Sequence, residues 1–135
     1  MISILFENPK SDVNVENIAR TCDFFGVDFY VSSFQKVKPK ISAGVLKHKP
    51  LKVIDISKWQ GRINATGDSF TSHPKDFKFQ DGDLLVFGNE SIGISQQIKQ
   101  LAHFNLGIQS KGIVPCLNVA NAVAVFLGII DLTQP

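Results

Sequence analysis

Between Asp81 and Ser95 the chain passes from a short apolar run, Leu84 to Phe87, directly into Gly88-Asn89-Glu90-Ser91-Ile92-Gly93. A carboxylate and an amide between two glycines, at the end of a buried strand, suit either a tight turn or a ligand corner. Glycine lets the backbone approach a bound group or adopt positive φ. Free amides ahead of the following helix can receive polar atoms, and Glu90 can pair with a cation or cap backbone amides. The stretch has no lysine and no Gly-x-x-x-x-Gly-Lys-Ser/Thr pattern, which argues against a phosphate-cradling nucleotide loop.

Two further stretches carry suggestive polar groups. Arg20 is one of only two arginines among 14 basic residues. In Val13 to Gly26 it has Asn17 and Asp23 three positions away, on a helical face turned from an Ile18/Cys22 stripe. That face is either simply solvated or presents a guanidinium to a ligand. From Ile108 to Ala122, a strand end and Gln109-Ser110-Lys111-Gly112 feed a helix that opens with Leu117-Asn118. An unpaired Asn118 amide among apolar neighbours would cost about 1–3 kcal/mol. It therefore caps the helix, bonds a loop carbonyl or meets a ligand.

The elements that must position these residues follow from pattern and punctuation. Ile2 to Glu7 reads as a strand ended by Asn8-Pro9. Asp12 or Asn14 can cap a helix to about Phe25, with Ile18, Cys22 and Phe25 on one face and Gly26 as its stop. Strands are expected at Asp28–Ser33 and Leu51–Ile56, either side of a lysine-rich segment. A short helix or turn at Ser57–Gly61 and a short strand at Ile63–Thr66 come next, then a polar loop to Gln80. After the Leu84–Phe87 strand come a helix from Ser95 to Ala102, a strand at Phe104–Ile108 and a long apolar helix from Leu117 to Thr133. Strands alternating with helices predict an α/β fold whose mostly parallel sheet is covered on both faces. Ligands of such sheets gather at the carboxyl ends of strands, where the Gly88–Gly93 corner and Gln109–Gly112 both lie.

The 135 residues amount to about one domain, with 44% hydrophobic and 19% charged residues. A net charge of +2 is compatible with nucleic acid without requiring it. Asn118 and Asn121 interrupt the longest apolar run before it reaches the ~18 residues of a membrane span. The start, Met1 to Phe6, has neither the basic residues nor the cleavage site of a secretory leader. Cys22 and Cys116 form no spacing motif, which points to a reducing cytoplasm and to no metal.

Taken in order, the three stretches resemble the three motifs of the SpoU/TrmH family, the 2′-O-ribose RNA methyltransferases of the SPOUT class. Asn14-Val15-Glu16-Asn17-Ile18-Ala19-Arg20 with Phe25-Gly26 resembles the first motif, and Gly88-Asn89-Glu90-Ser91-Ile92-Gly93-Ile94 the second. Ile108-Gln109-Ser110-Lys111-Gly112 through Cys116-Leu117-Asn118-Val119 is similar to the third. The chain departs from the family pattern at Glu16, Ser91, Gln109, Ser110 and Cys116.

The resemblance covers essentially residues 1–135 and implies a single domain with no appended RNA-binding domain. It also implies a C-terminal trefoil knot that binds S-adenosylmethionine in a bent shape, and a homodimer that pairs through the knot. It casts Arg20, Asn14, Glu90 and Asn118 as catalytic. Donor binding falls to Thr66, Gly88, Asn89, Glu90, Gly93, Ile108, Cys116, Leu117 and Asn118, without a metal. The RNA surface would comprise Arg20 with Lys36, Lys38, Lys40, Lys47 and Lys49, in a segment that also holds His48 and Lys52. Absence of an added domain favours tRNA over ribosomal RNA. The alternative is a knotted dimer that binds RNA without the methyl donor; a small-molecule-binding α/β protein is a third reading. Trp59 is expected in the core rather than stacked on a base.

Overall fold

The computed structural model describes residues 1–33 and 44–134. Six strands form one sheet: β1 (Ser3–Phe6), β2 (Asp28–Val31), β3 (Lys52–Val53), β4 (Ile63–Thr66), β5 (Leu84–Phe87) and β6 (Phe104–Leu106). Their spatial order is β3-β2-β1-β5-β4-β6, and every pairing is parallel. Three α-helices accompany them: α1 (Asp12–Phe25), α2 (Gln96–Leu101) and α3 (Val119–Thr133).

The two central strands explain the layering. All four residues of β1 and of β5 are buried, as expected of parallel strands covered on both faces. Alternate side chains then supply separate cores. Ile4, Phe6, Leu85 and Phe87 join Val15, Ile18 and Cys22 of α1 and Val123, Phe126 and Leu127 of α3. Leu5, Leu84 and Val86 face the other way and meet Ile56, Ile63 and Ile98 of α2. Phe87 packs edge-on against Phe126 with centroids 5.3 Å apart. Each such buried side chain stabilises the fold by about 1.5–3 kcal/mol.

Helix α1 carries its buried residues at Val15, Ile18, Ala19 and Cys22, one helical stripe. Its cap is Ser11 rather than Asp12 or Asn14, because Ser11 Oγ accepts the Asn14 amide at 3.3 Å. Burial pushes the Cys22 thiol up to about 12, so it behaves as a small apolar side chain. Ser95 caps α2, and Asn118 caps α3, whose first residue, Val119, lies two beyond the expected start at Leu117.

Four expected strands are shorter in the structure, β1 by one residue at each end. β2 ends at Val31, and only Lys52–Val53 pairs within the expected Leu51–Ile56 strand. There the Asp55 side chain captures the Ser57 amide and hydroxyl and turns Ile56–Lys58 into a 3₁₀ helix. β6 stops at Leu106 because residues 67–72 cross its end. Thr71 and Gly67 amides donate to the carbonyls of Asn105 and Leu106, and the Gly107 amide donates to Ser72. Trp59 lies half-buried, edge-on to Tyr30, with its indole N–H donating to the Gly82 carbonyl at 3.1 Å. Among the described residues, no helix is long and apolar enough to cross a membrane.

Candidate active site

The Gly88–Gly93 corner first satisfies itself. The Asn89 amide donates to the Gly93 carbonyl and the Gly93 amide to that of Asn89. Asn89 Oδ1 accepts the amides of Ser91 and Ile92 at 2.8 and 3.1 Å, an Asx-type turn. Glycine is required at both ends. A Cβ on Gly88 would lie 2.2 Å from the Gly93 carbonyl carbon, and Gly93 itself has φ 73°. The amides of Asn89, Ser91, Ile92 and Gly93 are therefore used inside the turn.

What the turn exports is Glu90. Its Oε1 accepts the Lys10 amide at 2.9 Å, and its Oε2 accepts the Ser11 amide at 2.8 Å and Asn14 Nδ2 at 3.1 Å. The carboxylate thus sits at the start of α1, where the helix dipole favours an anion. Burial raises the Glu90 carboxyl, but the hydrogen bonds from Asn14 and from backbone amides outweigh it and hold the group below the ordinary carboxylate range. Asn14 in turn accepts Asn118 Nδ2 through Oδ1 at 3.2 Å. Asn118 Oδ1 accepts the amides of Ala120 and Asn121. One relay, Glu90–Asn14–Asn118, therefore ties the three sequence stretches together at the tip of β5 and the starts of α1 and α3.

The remaining expected donor-site residues lie alongside. Thr66, Gly88 and Ile108 sit at or just beyond the carboxyl ends of β4, β5 and β6, which are neighbours in the sheet. Thr66 Oγ1 donates to the Val86 carbonyl at 2.9 Å. Cys116 and Leu117 are exposed. From Ile108 to Leu117, no backbone amide donates to a backbone carbonyl among the described residues. Ser110 Oγ accepts the Gly112 amide and donates to the Val114 carbonyl, so side chains take up part of this backbone's bonding beside the apolar rim.

Arg20 stands apart from the relay. Six residues beyond Asn14, it is displaced by about 9 Å along the helix and turned by about 240°. It is exposed and makes no hydrogen bond or ion pair among the described residues. Asp23, its helical neighbour, pairs instead with Lys49 at 2.7 Å. That hydrogen bond and the Asp23 charge hold the Lys49 ammonium above its ordinary range. Of the other expected RNA-binding lysines, Lys47 is exposed at the end of a 3₁₀ turn (Gly44–Lys47), while Lys36, Lys38 and Lys40 lie outside the described residues.

Comparison with known proteins shows the family of the chain. The SpoU rRNA methylase family matches residues 1–128. The chain belongs to this family. Among the family's curated relatives it is 29% identical, over 92% of its length, to a tRNA (guanosine(18)-2′-O)-methyltransferase of Aquifex aeolicus (strain VF5). It is 25% identical, over 93% of its length, to a 23S rRNA (uridine(2479)-2′-O)-methyltransferase of Streptomyces viridochromogenes. The chain spans 65% and 50% of the length of these two SpoU relatives. A solved structure concerned with 2-OH methylation of C/U34 on tRNA superposes with a TM-score of 0.81 at 25% identity. That superposition covers 98% of this chain and 90% of the other.

Three features of this SpoU chain escape a reading of its motifs. Glu7, only 4% exposed, accepts the Ser95 amide at 2.9 Å and its hydroxyl at 2.5 Å. Lys10 Nζ reaches Ser91 Oγ at 2.9 Å. Asn8 adopts φ 48° and is held by Ser32 and Asn89. A carboxylate closing an apolar strand just before Asn-Pro was the available signal for Glu7; the partners of Lys10 and Asn8 are too distant in sequence to leave one.

Proposed function

We propose that this protein transfers a methyl group from S-adenosylmethionine to a ribose 2′-hydroxyl of RNA, with tRNA as the substrate. The observation that carries the reading is the Glu90–Asn14–Asn118 relay, which gathers the polar residues of all three family motifs at one strand end. The near-complete overlap with a structure concerned with ribose methylation on tRNA supports tRNA, and the anticodon loop within it.

Thr66, Gly88, Asn89, Gly93, Ile108, Cys116 and Leu117 would hold the donor, with Asn118 closing the site through the relay. Bound there, S-adenosylmethionine supplies an electrophilic methyl on a sulfonium. A ribose hydroxyl is a weak nucleophile, so the protein's work is alignment and charge stabilisation. Asn14 is preset by Glu90 and Asn118 and orients the ribose. Glu90 is committed to the start of α1, so its contribution is to fix Asn14. Arg20 presents the planar, fixed fork of donors that a guanidinium carries. It grips the target phosphate bidentately and stabilises the developing alkoxide. Lys47, Lys49 and the lysines at 36, 38 and 40 add a salt-sensitive grip on the RNA backbone.

Because Arg20 faces away from the relay of its own chain, the active assembly is a homodimer in which it serves the second copy's site. Exposed apolar side chains on α1 and α3 support this pairing: Phe24 is 82% and Leu132 83% exposed, with Val13 and Val125 also open, and Leu117 just ahead of α3. A trefoil knot accompanies the reading. In support, residues 67–72 bind the end of β6, and the Gln134 side chain bonds the Phe77 carbonyl and the Phe79 amide at 2.8 Å.

Calorimetric titration with S-adenosylmethionine and its demethylated product tests the donor site. Saturable binding, weakened about tenfold by Asn118→Ala, is the expected result, together with 2′-O-methylated nucleosides in digests of treated tRNA. No donor binding by the intact dimer in the presence of RNA would replace the enzyme reading with donor-less RNA binding.

A further inference from the structure

A second cleft opens along the same edge of the sheet, beside the first. A cavity of about 420 Å³ lies at the carboxyl ends of β1, β2 and β3, lined by Glu7, Asn8, Ser32, Asp55, Ser95 and Gln97 among others. The candidate donor residues occupy the ends of β5, β4 and β6, so the two clefts divide the edge at β1/β5. There the strand order reverses, the usual location for ligands of open α/β sheets. The volume falls in the roughly 300–1,000 Å³ range of small-ligand sites.

The lining has a definite chemical character. No lysine, arginine or histidine contributes to it among the described residues, while two carboxylates do. Glu7 is nearly fully buried and anchored by Ser95. Asp55 receives the Ser57 hydroxyl and amide on Oδ1, which hold it below the ordinary carboxylate range and so ionised at neutral pH. Phosphates and carboxylates are repelled by such a wall; hydrogen-bond donors are attracted. Leu5, Val53, Ile54 and Ile56 complete the lining with apolar surface suited to a ring. A planar group with donor edges fits both halves.

The wall between the clefts is built rather than incidental. Asn8, in the left-handed region at φ 48°, donates its amide to Ser32 Oγ at 2.8 Å, and Ser32 donates back to Asn8 Oδ1 at 3.1 Å. From the other side, Asn89 Nδ2 donates to the Asn8 carbonyl at 2.7 Å. Ser32 and Gln97 thus face one cleft, and Asn89 and Glu90 belong to the corner of the other. The Asn14–Glu90 corner and the cavity therefore share one wall, joined by the Asn89–Asn8 hydrogen bond.

We propose that this cavity receives a nucleobase of the RNA substrate and selects one with an exocyclic amino group, which donates to the Glu7/Asp55 wall. The proposal rests on the methyltransferase reading, and its test separates the two. The protein, isotopically labelled and without added donor, is titrated with cytidine, uridine and inorganic phosphate while amide resonances are followed. Amides of Asn8, Ser32, Asp55 and Gln97 should move with cytidine, at least fivefold less with uridine, and not with phosphate. Equal responses to the two nucleosides, or none at these positions, would overturn the base pocket.

On RNA, Asp55→Ala and the surface change Gln97→Ala should each raise KM about tenfold while leaving kcat and donor affinity unchanged. Unchanged KM in both variants also overturns the proposal. If the donor fails to bind while cytidine still moves the cavity amides, the methyltransferase reading fails and the base pocket stands.

Discussion

Arg62 immediately precedes β4 and donates through Nε and Nη2 to both oxygens of Asp83, at 2.7 and 2.6 Å, while Nη2 also reaches the Lys78 carbonyl. Its guanidinium also lies over the rings of Phe77 and Phe104, 5.1 and 5.2 Å from their centroids. Arg20, on α1, has no such partner among the described residues and stands in solvent. The chain's two arginines thus use the same fork of donors in opposite ways. In Arg62 the donors are consumed by the protein, closing the amino ends of β4 and β5. In Arg20 they are kept for something else, and an unspent guanidinium on an ordered helix suits a phosphate.

The most forceful way to break this contrast is to remove the partner of the bound arginine. Asp83→Ala leaves Arg62 uncompensated beside two aromatic rings and also strips the Gln80 amide of its acceptor. It should cost about 3 kcal/mol in denaturant unfolding. Arg20→Ala should change stability by less than about 0.5 kcal/mol, yet lower methyl transfer to tRNA by about a hundredfold to a thousandfold. Arg20→Lys should fail to restore it, because a lysine cannot bind a phosphate bidentately. Full turnover in Arg20→Lys would remove the bidentate role; a large stability loss in Arg20→Ala would make the two arginines alike.

The smallest expected effect concerns the relay. The folded Glu90 carboxyl lies below its ordinary value of 4.5. The stability it contributes is therefore present above that value and lost as pH falls through the lowered folded pKa. Glu90→Gln should remove that acid-side slope from the pH dependence of unfolding, leaving the neutral-to-alkaline part unchanged. A retained slope would assign the acid sensitivity to another carboxylate.

How far the sequence could be read varied with how local the causes were. Ile63–Thr66 and Leu84–Phe87 have the bounds expected from pattern alone, since residues buried on both faces leave a continuous apolar signature. Leu51–Ile56 carries a similar signature but lies at the sheet edge, where Asp55 capping Ser57 outweighs the pairing available to β3. In the site, Asn118 was legible as a cap because its amide partners are two and three residues away. Its second bond, to Asn14 across 104 positions, was not. The cavity at β1, β2 and β3 left no motif, because its wall is assembled from residues on four separate segments.

By itself the sequence determined the element order, the two-faced strands, the Asn118 cap and membership of a family with three motifs. These depend on neighbours within one turn or one strand. Only the tertiary structure decided that Glu90 is spent on the start of α1, that Arg62 is bound while Arg20 has no partner among the described residues, and that a second, acidic cleft adjoins the first. Such pairings span tens of residues and form only when the parallel sheet order brings distant strand ends side by side, a geometry that local propensity does not encode.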